Sequence, residues 1–480
     1  MQAVATNPNP AIGNYFLIKK YLALVFVVSF RCEAEFSPNH RRGEDMINKN
    51  VLPFKMEISN ELLTPRAGLI LAHEFHLGLK IDRLIDNHLP VPGSGRGHKP
   101  SDFVMPLILT LQGGGTNLDD IKVIAEDKAL RNAAQIRHVP ASCTFGDWLR
   151  RTGASRKAMK GLSESRKELT RVMLSRGKTT EFTLDADTTI IEADKGDATE
   201  AYEGTVGYQP IIGFLFENKW IISEEFRTGS ASPAGGMKEF IKNCEVQMPE
   251  GTRIARFRSD SAAYNHEVSD YCDENHIEYV IGADKDAAVQ MLYESIPSHA
   301  WVRYIAPNSR KEREVAETVH SFNKGKGSFR IIFVRDVEAQ GELFSECLRR
   351  RAVITNIPME KMNAADVVNC YNQRGTAENF IKELKYGVGM RSVPCGQFEA
   401  NAAFFRIGTI AYDLFLMQMA FGFPPELSAA TVGTIRWRIY QTAGRLVRHA
   451  RNFILRVAAD AATFAAMLKA RSASLELFVT

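Results

Sequence analysis

The chain has 480 residues, 45% hydrophobic and 24% charged, with a net charge of +4. This composition is ordinary for a folded globular protein of roughly two to four domains and excludes collagenous, low-complexity and fully disordered classes. Its seven cysteines, at 32, 143, 244, 272, 347, 370 and 395, form no C-x2-C pair. A zinc ribbon and a disulfide framework are therefore not indicated, and the pattern fits a reducing cytosol. The charge is uneven along the chain: Lys and Arg number 21 against 13 Asp and Glu over 46–180, 26 against 36 over 181–420, and 8 against 3 over 421–480. An acidic middle flanked by basic segments suits a metal-binding core between parts that grip a polyanion.

The first segment, 1–45, contains an apolar run at 21–30 after Lys19 and Lys20. No small-residue cleavage site follows, and the run is shorter than the roughly 20 residues a membrane span needs. It reads as a non-native or disordered extension, dispensable, before a start at Met46. Apolar periodicity then predicts helices over 65–89 and 102–111, separated by the loop PVPGSGRGHKP at 90–100. HEFH at 73–76 lacks zincin spacing and sits on the first of these helices. LQGGGTN at 111–117 lacks the Lys and Ser or Thr of a nucleotide-binding loop. From 144 to 178, Arg150, Arg151, Arg156, Lys157, Lys160, Arg166, Lys167 and Arg171 are dense enough to track a phosphate backbone. Residues 46–178 are thus predicted to form a helical DNA-binding domain.

FTLDADTTII at 182–191 alternates as a strand, placing Asp185 and Asp187 on one face. RIARFRSDSAAY at 253–264 is a strand ending at Asp260, followed by a helix from about 262. Each Asp alone reads first as a turn or cap residue. Strand-like runs at 301–306, 314–322 and 329–335 predict a β-rich insertion over 291–350, in which Trp301 is a candidate base-stacking platform against ordinary packing. The run 344–357 returns to the sheet through 352–357. The basic run at 436–456, with six Arg, suits either strand or helix, in contact with DNA or as an amphipathic element with snorkelling Arg.

YNQRGTAENFIKELK at 371–385 places Tyr371, Arg374, Glu378 and Lys385 on one helical face, with Lys382 beside it. A solvated face of Glu and Lys pairs is the plain alternative. That alternative does not call for Gly375, which costs roughly 1 kcal/mol relative to Ala in a helix interior and implies close approach to the backbone. A carboxylate can hold a divalent metal, Arg and Lys can grip phosphates, and a Tyr hydroxyl can orient one. With an Asp of the 182–191 strand, Asp185 or Asp187, and with Asp260, Glu378 completes a three-carboxylate set suited to two-metal phosphoryl transfer.

These residues resemble the DDE transposases of bacterial insertion sequences, in the group with a Y-x2-R-x3-E-x6-K signature, which Tyr371, Arg374, Glu378 and Lys385 match in full. DADTT resembles that family's first-Asp motif and RSDSAAY its second. From about Met46 onward the chain is similar to insertion-sequence transposases related to the piggyBac type. One departure is Ser230 in RTGSASP, where the group is expected to carry Asn. The resemblance implies an α/β protein with a ribonuclease H-like catalytic core interrupted by the β-rich insertion and preceded by the α-helical N-terminal DNA-binding domain. The core falls in two parts, 179–290 and 351–420, with a basic C-terminal region at 421–480. It implies Asp187, Asp260 and Glu378 as catalytic metal ligands, Asp185 behind them, and Tyr371, Arg374, Lys382 and Lys385 on DNA. It also implies Mg²⁺ with Mn²⁺ as substitute, cutting and joining of double-stranded DNA at terminal inverted repeats and target, a homodimer holding two ends, no membrane association, and a cytoplasmic, nucleoid-associated location. A stand-alone metal-dependent nuclease and an inactive DNA-binding relic are the alternatives.

Overall fold

In the computed structural model, which describes residues 52, 54, 56–93, 96–201, 203–307, 311–337, 350–450 and 452–479, the short strand Leu63–Thr64 (β1) leads into a run of helices. These are Ala67–Gly78 (α1), Ile81–His88 (α2), Pro100–Gln112 (α3), Lys122–Glu126 (α4), Lys128–Ala133 (α5), Ser142–Ala154 (α6) and Arg156–Ser175 (α7). The predicted extension at 1–45 and the segment 338–349 lie outside the described residues. The single pattern expected over 65–89 is interrupted at Lys80, whose φ of 58° lies in the left-handed region and cannot continue a helix. Pro100 opens α3, where its missing N–H costs nothing, and Asp102 accepts the Lys99 amide at 2.9 Å. Ser155 caps α7 by accepting the Ala158 amide at 3.2 Å.

The central layer is a mixed sheet of nine strands. Glu181–Thr188 (β2) is buried at all but its first and last positions, as a central strand with helices on both faces requires. Ile191–Glu192 (β3), Thr199–Glu200 (β4) and Val206–Tyr208 (β5) form a small separate sheet beyond its end. Ile211–Leu215 (β6) and Trp220–Glu225 (β7) then return antiparallel on one side of β2. Arg253–Ser259 (β8) and Glu278–Gly282 (β9) add in parallel on the other. The order β7-β6-β2-β8-β9, antiparallel on one side of β2 and parallel on the other, is consistent with a ribonuclease H-like core. Helices Met237–Gln247 (α8), His266–Glu274 (α9) and Ala287–Ser295 (α10) intervene along the chain.

The strands expected between 301 and 336 do form: Val302–Ile305 (β10), Glu312–Ser321 (β11) and Ser328–Asp336 (β12). They do not make a sheet of their own. Arg350–Thr355 (β13) pairs with both β12 and β9, so they extend the same nine-stranded sheet. Helices Ala364–Gln373 (α11) and Gly375–Lys382 (α12) follow, then the mostly apolar Phe398–Met417 (α13), buried on most of its circumference in the manner of an interior helix and carrying Arg406 and Asp413 inside. After the short Val432–Ile435 (α14), the basic run at 436–456 resolves into the hairpin Gly444–His449 (β14) and Asn452–Val457 (β15), with β14 paired to β1. Helix Ala461–Val479 (α15) ends the described chain. None of the described helices is long and apolar enough to cross a membrane.

Helices and sheet are joined through buried charge. Arg166 on α7 pairs with Glu224 on β7 and stands 3.7 Å from Asp413 on α13. Arg406 completes the group on Glu224, and Asp413 accepts the Ile221 amide at 3.0 Å. Arg166 is thus a fold residue rather than one of the surface cations expected over 144–178; Arg150, Arg151, Arg156, Lys157, Lys160 and Arg171 remain exposed and Lys167 partly so. Burial pushes the Asp413 carboxyl up to about 8, opposed by Arg166. A raised carboxyl pKa means that the folded state holds an extra proton between the unfolded value near 4 and about 8, so its share of stability declines as pH rises through that window. Urea melts of Asp413→Asn across this range are expected to show a shallower loss of stability with pH than the parent chain. Glu224→Gln, which leaves two buried guanidinium groups short of a partner, is expected to cost about 3–5 kcal/mol.

Candidate active site

Pairing register brings the first two aspartates together. In the parallel pair β2 and β8, Asp185 lies opposite Arg258. Two residues further along each strand, Asp187 and Asp260 emerge at the neighbouring carboxyl ends, the edge where α/β sheets hold ligands. Ser259 lies opposite Ile281 on β9, so Gly282 completes the same edge. Asp260 also accepts the Ala262 amide at 3.0 Å, serving as the cap of the short turn that follows as well as facing the site.

The signature segment lies across this edge. Its expected single helix is two: α11 ends at Gln373 and α12 starts at Gly375, with Arg374 at the joint. Three-residue hydrogen bonds, from the Arg374 amide to Tyr371 at 3.0 Å and from the Ala377 amide to Arg374 at 2.7 Å, tighten the turn there. Residues 383–387 then widen into a π-turn. At this turn the Arg374 guanidinium donates to Asp187 Oδ2 at 3.0 Å and stands 3.9 Å from Glu378 Oε1. Tyr371 lies beneath it, ring centroid 5.7 Å from that guanidinium. A Cβ on Gly282 would stand 2.6 Å from the Tyr371 hydroxyl, so the phenol occupies the space that the glycine leaves.

The electrostatics follow from burial. Asp187 is 9% exposed, and burial pushes its carboxyl up to about 6, aided by the charges of Asp260 and Glu378 and opposed by Arg374. Burial likewise raises the Tyr371 phenol. Glu378 is different: its side chain is 69% exposed, at the open side of the site. Asp187 therefore feels the charge of both other carboxylates. Among the described residues, however, no group of three or more His, Cys, Asp or Glu stands in an arrangement that holds an ion. Arg374 supplies the positive charge between Asp187 and Glu378.

Asp185 sits behind the site, fully buried, and is gripped by Arg258 through two bonds of 2.7 and 2.8 Å. Arg258 also donates to the Cys370 carbonyl at 2.9 Å and to Gln373 at 3.2 Å, tying α11 to the sheet. Sequence reasoning passed over Arg258, although its place two residues before Asp260 put it in strand alternation with that aspartate. Lys385 turns away from the carboxylates, donating to the Ile190 carbonyl at 2.7 Å and to the Thr189 hydroxyl at 3.3 Å. Lys382 is exposed on the outer face. Ser230, the departure from the expected turn, is accommodated by Thr199, whose hydroxyl accepts the Ser230 amide at 2.8 Å.

No described atom comes within 4 Å of a Cβ placed on Gly375, so the close approach expected there does not come from the described part of the chain. Gly375→Ala is accordingly expected to raise thermal stability by up to roughly 1 kcal/mol, a gain read from the melting temperature. Removing the Arg258 guanidinium leaves Asp185 as an uncompensated buried charge. Arg258→Met is expected to cost about 3–5 kcal/mol in urea unfolding, and more than the double variant Asp185→Leu with Arg258→Met, in which no charge is orphaned.

The family described as transposase DDE domain group 1 matches residues 52–477. No curated protein matches the chain. Among solved structures, it is similar to a piggyBac transposase in a synaptic complex with hairpin DNA, at 9% identity and a TM-score of 0.42, over 84% of this chain and 79% of that one.

Proposed function

Since the chain belongs to the transposase DDE domain group 1 family, we propose that it binds the terminal inverted repeats of its own insertion sequence, cleaves the DNA there and transfers the 3′ ends to target DNA. The observation that carries this reading is the meeting of Asp187, Asp260, Glu378 and Arg374 at the carboxyl edge of β2 and β8. Hard oxygen donors in a mutually repelling set suit a divalent cation, Mg²⁺ or Mn²⁺, and Asp187, Asp260 and Glu378 would hold it. Bound there, the metal would supply charge neutralisation and an activated oxygen nucleophile at neutral pH.

The chain's own residues have separate tasks. Arg374 carries a rigid guanidinium suited to a phosphate oxygen, already at the site and balanced by Asp187. Tyr371, braced against Gly282, supports Arg374 from below and limits its swing. The Lys385 bonds to Thr189 and Ile190 anchor the far end of the signature segment to the chain just beyond Asp187. Lys382, on the exposed side, is available to a DNA phosphate. The open face over Gly375 leaves the backbone accessible beside Arg374 and Glu378, where a sugar-phosphate strand can lie. Exposed cations of α6 and α7 supply a second, sequence-independent grip. A homodimer would bring two such sites to two DNA ends.

The test is cleavage and joining of a labelled duplex carrying the element's end, with Mg²⁺ or with EDTA. Asp187→Ala, Asp260→Ala and Glu378→Ala are each expected to abolish both steps while leaving end binding intact. Cleavage that never leads to joining of a pre-cut 3′ end would instead identify a stand-alone nuclease. Equal activity in the parent chain and all three variants would remove the three-carboxylate assignment.

A further inference from the structure

Trp301, the aromatic singled out for base stacking, is already covered. The Arg335 guanidinium lies 4.0 Å from its ring, and Tyr293 packs edge-on at 5.4 Å. A different aromatic stands open near the site. Tyr386, 61% exposed, directly follows the inward-turned Lys385. Glu378, Lys382 and Tyr386 are spaced four apart, so they follow one face of α12 and its terminal turn, and all three are exposed. The chain then folds back, the Met390 amide donating to Leu384 at 3.2 Å and the Arg391 amide to Lys385 at 3.1 Å. This return sets the exposed Arg391 guanidinium 5.8 Å from the Tyr386 ring. The intervening carboxylate, Glu383, is turned aside to accept the Val432 amide at 2.9 Å, which leaves this outer face to the two cations.

We propose that Tyr386, with Lys382 and Arg391, forms a binding site for a single-stranded DNA segment that leads into the carboxylate site. The ring stacks on an unpaired base and the two cations hold the phosphates on either side. Base stacking on an aromatic side chain beside cations is sequence-tolerant, because every base presents a π-face. At 1.5 Å of rise per residue, Tyr386 stands roughly 12 Å along the helix from Glu378. That distance is about three to four nucleotides at 3.4 Å each, so an unpaired strand end held at Tyr386 reaches Glu378. The inference rests on the reading of the chain as a DNA-cleaving transposase and adds which part of the substrate this face takes.

The experiment compares binding of the full chain to a fluorescein-labelled blunt duplex and to the same duplex with a short single-stranded 3′ tail carrying a fluorescent adenine analogue. Tyr386→Ala is expected to weaken the tailed duplex by roughly 5–100-fold, leave the blunt duplex unchanged and abolish quenching of the analogue. Tyr386→Phe keeps the ring and is expected to retain both affinity and quenching. Arg391→Gln is expected to reduce the salt slope for the tailed duplex by about one. A Tyr386→Ala chain that keeps the tail preference and quenching of the parent overturns the site, while carboxylate-dependent cleavage would still stand. A parent chain that binds neither duplex overturns the DNA-cleavage reading and this site together.

Discussion

The buried pair between Asp185 and Arg258 is the interaction on which the rest of the site depends. It joins the two central parallel strands, and the same guanidinium reaches the Cys370 carbonyl and the Gln373 side chain on the helix that carries the signature. One side chain therefore sets the height of Tyr371 and Arg374 over the strand ends from which Asp187 and Asp260 emerge. Burying two charges is expensive, and a pair of apolar residues would often be no less stable. Its value here is positional: a guanidinium with donors in fixed directions locates three elements at once, which an apolar contact cannot do.

The chain uses cations in two ways that differ in solvation. Arg166, Arg258, Arg406 and Arg436 lie largely within the protein and spend their donors mainly on carboxylates and carbonyls, binding helices to sheet and the C-terminal region to the end of α3. Lys385 belongs partly with them, because its amine is held by the turn beyond Asp187. Arg150, Arg151, Arg156, Lys157, Lys160, Lys382 and Arg391 stay in water, where they keep their counterions and can exchange them for phosphates. Net charge does not distinguish these groups; solvent exposure does.

Arg374 stands between the two uses. It is largely buried, yet it faces the carboxylates and balances Asp187 instead of bracing the core. Burial of Asp187, with the charges of Asp260 and Glu378 nearby, disfavours its ionised form unless a compensating charge stands beside it. In the described arrangement that charge is the guanidinium, which explains why burial raises the Asp187 carboxyl only to about 6. Arg374 lies at the tightened turn between α11 and α12.

Alternation in 182–191 and 253–260 and apolar periodicity around 65–89 and 102–111 were enough to assign β2, β8 and the first helices, because these patterns express local geometry, whereas β6, β7, β9 and α13 were not assigned. Residue spacing put Tyr371, Arg374 and Glu378 on one face, and the family resemblance added Asp187 and Asp260 to the set. What the linear pattern did not contain was partnership. Whether Arg166 faced water or Glu224, whether Lys385 reached outward or to Ile190, and whether Trp301 was open or covered by Arg335 depended on residues far away in the chain. The break at Arg374 and the joining of β10–β12 to the main sheet were decided in the same way, by hydrogen bonds and packing that exist only once distant segments meet. Sequence by itself determined the strongly patterned elements and which chemical groups they carry. Tertiary structure alone decided which groups are desolvated and whom they face, because charge and aromatic surface acquire their role from the neighbours that replace water.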